Sequence, residues 1–181
     1  NLGERIDIID LGGGLGVDYT DNNISFDTKK YFIELKKLID EYGFTNKEFI
    51  LELGCYLVAS AGYYLSKIVD IKESKGYKHI ILAGGLNHIP TATLNGKHPF
   101  KIISMNQKKL YANQIEVIDE IVDIDGPLCT AEDKVLWDVY VEKAQIGDIV
   151  IIRQAGAYCY SAAWLKFLSH EYPVELIINN K

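Results

Sequence analysis

The spacing of apolar and polar positions changes once along the chain. From Arg5 to Leu11 the run Arg-Ile-Asp-Ile-Ile-Asp-Leu is rich in β-branched residues and stops at Gly12-Gly13-Gly14-Leu15-Gly16. A largely apolar strand ending in glycines is how a parallel α/β strand feeds a loop. From Phe26 to Tyr42 apolar residues recur at helical spacing, with charges on the other face and Gly43 as a stop. Glu48 to Leu53 then reads as a second buried strand, ending at Gly54. Strand, loop, helix and strand make one βαβ unit, with Gly12–Gly16 and Glu52–Cys55 both at carboxyl ends of strands. In an α/β barrel those ends carry the active site, and the last strands commonly carry a phosphate site.

Near Ala61 the period shortens to two. Tyr63 to Lys72 alternates like a strand, Lys75-Gly76 turns it, and His79 to Leu82 returns as the second arm of a hairpin. Further strands are expected at Lys101–Ser104, Asn113–Val122, Lys134–Val141, Asp148–Arg153 and Val174–Ile178. Short strands with few helices imply a β-barrel or sandwich. The expected architecture is α/β followed by mainly β, with a domain boundary near residue 60.

Composition narrows the class. The 181 residues are 48% hydrophobic and 24% charged, with a net charge of −6 and scattered basic residues. That is globular composition without the basic footprint of a nucleic-acid binder. No apolar run reaches the roughly 18 residues of a membrane span, and no signal peptide is expected. Cys55, Cys129 and Cys159 are widely spaced, so neither a disulfide framework nor a zinc site is expected, and the cytoplasm is the expected compartment. The opening Asn-Leu-Gly-Glu-Arg, polar and without Met, reads as an internal start.

Candidate chemistry sits at five places. Asp123-Ile-Asp-Gly-Pro-Leu-Cys129-Thr-Ala-Glu-Asp133 holds a thiol just past a Gly-Pro turn, where Gly allows φ > 0 and Pro fixes its own φ. Cys129 is there either a half-buried structural thiol or a positioned acid. Gly12–Gly16 could crowd backbone N–H groups round an anion, although its spacing is not a dinucleotide fingerprint. Glu52 is either a satisfied structural acid or part of a site. The small-residue stretches Ala83–His88 and Gln154–Ser161 could let a ligand approach, with Tyr158 either a core aromatic or a ring offered to a cofactor. His88 and His170 read as structural, and no cluster has metal-ligand spacing.

Four motifs occur together and in order: Asp10-Leu-Gly-Gly-Gly-Leu-Gly16, Glu52-Leu-Gly-Cys-Tyr-Leu-Val-Ala-Ser-Ala-Gly62, Gly126-Pro-Leu-Cys129 and Gly147-Asp148 … Gly156-Ala-Tyr158. They resemble the fold type III pyridoxal-phosphate decarboxylases, the diaminopimelate and ornithine decarboxylase family. The resemblance implies the last units of an alanine-racemase-like TIM barrel (1–60, truncated) and a C-terminal β-barrel or sandwich domain (61–181). Ala83–His88 and Phe167-Leu-Ser-His170 resemble, within that family, decarboxylases of the butirosin-pathway type that act on amino acids tethered to carrier proteins.

The resemblance assigns roles where residues match. Gly12, Gly13 and Gly14 would bind the phosphate of pyridoxal 5'-phosphate, together with backbone at Glu52, Leu53, Gly54 and Cys55. Tyr158 would contact the cofactor. Cys129 would be the acid that returns a proton after carbon dioxide leaves, reaching the partner's site in a homodimer. Three departures bear on the reading. Cys55 stands where the family usually has Arg, so a charge-assisted contact worth roughly 1.5–3 kcal/mol is missing. Thr130 stands where diaminopimelate enzymes have an acid, and their substrate-reading Arg and Tyr are replaced near Thr91 and Asn95. The cofactor-bearing lysine of the first barrel strand has no counterpart, so these 181 residues alone are expected to be inactive. The alternatives are a diaminopimelate-type enzyme acting on a free amino acid, and a non-catalytic binding or regulatory relative.

Overall fold

A computed structural model describes residues 6–20, 24–90, 98–105 and 114–179. The chain divides into two compact units, Asn1–Ala59 and Ser60–Lys181.

In the first unit β1 (Ile8–Asp10) and β2 (Glu48–Ile50) pair in parallel, with Ile9 opposite Phe49. The pairing continues past both strands, because Leu11 N donates to the Ile50 carbonyl at 3.0 Å and Glu52 N to the Gly12 carbonyl at 2.8 Å. Between them runs α1 (Thr28–Glu41). Asp27 caps it by accepting from Lys30 N at 2.8 Å, and Gly43 leaves it with φ +72°. α1 buries no residue within the unit. A five-residue helix, α2 (Gly54–Val58), follows β2 at once.

The second unit is one six-stranded mixed sheet. Its strands are β3 (Tyr64–Ser74), β4 (Tyr77–Leu82), β5 (Phe100–Ile103), β6 (Val117–Asp125), β7 (Lys134–Ala144) and β8 (Ile149–Ile152). The order is β5-β8-β3-β4-β6-β7. Lys75 (φ +55°) and Gly76 (φ +78°) join β3 to β4, the left-handed pair that a two-residue hairpin turn requires. Only β4 and β6 pair in parallel, with Ile80 opposite Ile124; the other four pairings are antiparallel. That parallel contact brings the end of β4 beside the end of β6. The core is built from Ile68, Ile80, Leu82, Ile124, Leu136 and Ile152, all fully buried. Each such side chain contributes about 1.5–3 kcal/mol.

Val174–Ile178 departs from expectation. It is irregular, and Val174, Leu176, Ile177 and Ile178 are all more than four-fifths exposed. β propensity describes fit to a half-buried pleated surface, and no described strand offers this segment a ladder.

Candidate functional site

The glycine loop of the first unit is shaped by its own backbone. Gly12 and Gly14 have φ +70° and +81°, and a Cβ at either would meet nothing within 4 Å. Gly13 is glycine for another reason: a Cβ there would collide with the carbonyl of Glu52. The two strand-end loops thus touch, with Glu52 N on the Gly12 carbonyl and Gly54 N on the Glu52 carbonyl at 2.9 Å. Gly12 N turns back to Asp10 Oδ1 at 2.8 Å. Gly13 and Gly14 are exposed, and their N–H groups donate to no described residue. This gives an open cradle of small residues with free donors, which fits a phosphate. Cys55, half-buried on α2, brings no positive charge to it.

At the end of β6 the turn from Gly126 to Asp133 carries Cys129. The thiol is exposed, which removes the half-buried reading. Gly126 does not use a left-handed φ; its missing Cβ makes room for the carboxylate of Asp133. Asp133, 3% exposed, accepts from Leu128 N through Oδ2 at 2.6 Å and from Leu86 N through Oδ1 at 2.5 Å. Its own backbone closes the turn, with Gly126 N on the Asp133 carbonyl at 2.8 Å and Asp133 N on Thr130 O at 3.2 Å. The role of Asp133 is not legible in the sequence, because one of its two partners, Leu86, lies on a loop 47 residues away.

The stretch Ala83–His88 is filled by the protein's own side chains. A Cβ at Gly85 would strike Asp133, and one at Gly84 would strike His88 and the Tyr64 hydroxyl. Tyr64 OH lies 3.1 Å from His88 Nδ1, and His88 Nε2 lies 2.9 Å from the Glu171 carbonyl. A carbonyl only accepts, so Nε2 carries the proton and Nδ1 accepts from the phenol. Burial, with Asp133 and Cys159 adding to it and a Ser66 hydrogen bond opposing, pushes Tyr64 up to about 12, so it remains a donor. Tyr158 is 57% exposed and has φ +63°, a conformation rarely taken by an aromatic residue, between buried Ala157 and Cys159. The core reading of Tyr158 is therefore excluded; its ring faces water. Thr91 and Asn95 lie outside the described residues.

One further cluster was invisible in the sequence. His79 on β4 meets Asp123 and Asp125 on β6, with their ligand atoms within 4.8 Å of one another. His79 Nδ1 is 2.8 Å from Asp125 Oδ2. Asp123 binds the Lys134 ammonium and accepts from Asp138 N at 3.0 Å. The lysine already supplies the positive charge that a metal ion would bring. The spacing gave no signal because strand pairing, not sequence proximity, assembles the group.

Comparison with known proteins adds the following. The pyridoxal-dependent decarboxylase C-terminal sheet domain matches residues 37–156, and the pyridoxal-dependent decarboxylase pyridoxal binding domain matches residues 1–59. The chain is 31% identical to the 2-[(L-alanin-3-ylcarbamoyl)methyl]-2-hydroxybutanedioate decarboxylase of Staphylococcus aureus, with 91% of this chain and 42% of that protein covered. It is 33% identical to the L-glutamyl-[BtrI acyl-carrier protein] decarboxylase of Niallia circulans, covering 99% and 44%. Among solved structures, diaminopimelate decarboxylase from M. jannaschii in co-complex with L-lysine matches with a TM-score of 0.71 and 29% identity, over 95% of this chain and 38% of that one. The chain thus spans less than half the length of the relatives it matches.

Proposed function

This chain belongs to the pyridoxal-dependent decarboxylase family, and from that premise we propose that it is the C-terminal part of a pyridoxal 5'-phosphate-dependent amino-acid decarboxylase. Residues 1–60 would form the end of the cofactor-binding barrel and residues 61–181 the β domain of a cytoplasmic homodimer with shared sites. Among the described residues no helix is long and apolar enough to cross a membrane.

The cofactor, when bound, supplies the electron sink that lets carbon dioxide leave the substrate. This chain's residues bind, orient and protonate. Gly13 and Gly14 would hold the phosphate through backbone N–H groups, on a loop that Gly12 shapes by turning its own N–H back to Asp10, beside the backbone of Glu52, Gly54 and Cys55. Tyr158, with its ring exposed, would be the residue of the β domain that contacts a cofactor. Cys129 delivers the proton to the substrate carbon in the partner's site. The observation that carries the reading is an exposed thiol on a turn fixed at both ends. General-acid help of this kind contributes about 10²–10⁴-fold.

A carrier-tethered or otherwise enlarged amino acid suits the chain better than free diaminopimelate. Thr130 places no acid next to Cys129, and both curated relatives described above act on larger substrates.

The test is Cys129→Ala in the complete gene product. It should retain the cofactor's visible absorbance, because the glycine cradle is untouched, and lose carbon dioxide release at least tenfold. Cys55→Ala should do neither so strongly. If Cys129→Ala releases carbon dioxide like wild type while Cys55→Ala is dead, the acid is misassigned. Loss of the cofactor spectrum throughout would favour a non-catalytic relative.

A further inference from the structure

Resting on the reading of Cys129 as the acid, we propose that Asp133 is its positioning residue: one buried carboxylate that staples the Cys129 turn to the loop after β4. A carboxylate that is 3% exposed is costly unless its charge is answered. None of the described ion pairs includes Asp133. Two backbone N–H groups answer it instead. Oδ2 holds Leu128 N at 2.6 Å, the residue before the thiol, and Oδ1 holds Leu86 N at 2.5 Å.

Charge-assisted bonds of this kind are short and roughly twice as strong as neutral ones. The neighbouring sequence is cut to admit them. Gly85 and Gly126 each lack the Cβ that would strike the carboxylate, and a Cβ at Gly85 would also strike Gly126 Cα. Two glycines thus give up chain rigidity so that one acid can lie between two loops.

The staple fixes the thiol's backbone and leaves the thiol in water. Leu128 is buried at 8% exposure while Cys129 is exposed, so adjacent side chains point to opposite sides of the turn. A proton donor needs its backbone held, because a misplacement of about 1 Å can cost 10²-fold.

The experiment uses the complete gene product with Asp133→Asn, whose amide keeps the shape but faces one N–H with another donor. The probe is iodoacetamide, with each cysteine followed by peptide mass spectrometry. Rates are compared at the high-pH plateau, above the ordinary thiol pKa of about 8.5, where they report access and geometry, not thiolate fraction. In Asp133→Asn, kcat for carbon dioxide release should fall at least about tenfold with KM and the cofactor's absorbance unchanged, and Cys129 should alkylate at least about threefold faster, with buried Cys159 unchanged. Gly126→Ala should act in the same direction. A rate for Cys129 equal to wild type in folded Asp133→Asn overturns the proposal, and so does equal acceleration at Cys159, which marks general loosening. Should the variants not fold, wild-type hydrogen exchange decides: the Leu86 and Leu128 amides lie outside every strand ladder and must still be protected, and fast exchange at both overturns the staple. Accelerated alkylation together with unchanged carbon dioxide release from Cys129→Ala upholds the staple and removes the acid role of Cys129.

Discussion

Asp123 and Asp125 show at the scale of single residues how two carboxylates on one strand are driven apart. Burial raises both. For Asp123 the Lys134 ammonium, the Asp138 N–H and His79 outweigh burial, and its pKa ends below the usual carboxylate range. For Asp125 burial is only partly offset by the His79 hydrogen bond, and its pKa ends above that range. Asp123, depressed, contributes stability that is present above its unfolded pKa of about 3.9 and is lost as pH falls through its lower folded value. Asp125, raised, acts in the opposite sense: its charged form opposes folding, so stability recovers as acid protonates it. Asp123→Asn should therefore cost about 1–3 kcal/mol at pH 7, since Lys134 is half exposed and bonds to charged groups carry that order of energy. The cost should shrink below about pH 4. Asp125→Asn should be close to neutral at pH 7. Urea midpoints at pH 7 and pH 3.5 check both, and a larger loss for Asp125→Asn would reverse the assignment.

Elements show which glycines matter and why. Gly13→Ala would drive a methyl into the Glu52 carbonyl, whereas a Cβ at Gly16 would make an ordinary 3.7 Å contact with Phe26. In the complete protein Gly13→Ala should weaken pyridoxal phosphate binding by about tenfold or more, the order of one or two lost hydrogen bonds to a charged group. Gly16→Ala should not, and titration by absorbance distinguishes them; equal affinities would detach the glycine cradle from the cofactor. The same elements mark what was legible beforehand. α1 was readable from Tyr31, Leu35 and Leu38 on one face, and the β3–β4 hairpin from Lys75-Gly76, because both signals are local. The order β5-β8-β3-β4-β6-β7 was not, since nothing local to His79 announces Asp123. Val174–Ile178 had strand composition and, among the described residues, no partner strand. Gly126 looked like a turn glycine and Gly85 like part of a stretch open to a ligand, and only their contact with Asp133 shows that they are spaces.

The whole chain is unevenly held together. The second unit owns nearly every buried apolar side chain, from Ile68 to Cys159. Among the described residues of the first unit only Leu15 and Ala59 are buried hydrophobics, while Ile8, Phe32, Ile33, Leu38 and Leu57 meet water. Leu11, Phe26, Tyr31, Leu35 and Leu38 line an open apolar groove along α1. Ordering a backbone costs about 1–2 kcal/mol per residue, and two buried side chains return only a small part of that. A patch of this kind on a lone chain invites association. The 181-residue chain, made by itself, should hold its second unit and lose its first. Hydrogen exchange should leave β4, β6 and β7 protected for hours and exchange α1 within seconds. A dye that fluoresces on apolar surface should bind, and chains truncated to 60–181 should bind much less of it. Protection of α1 equal to that of β6, with no dye bound, would show that the first unit is stable as it stands and that its apolar face needs no cover.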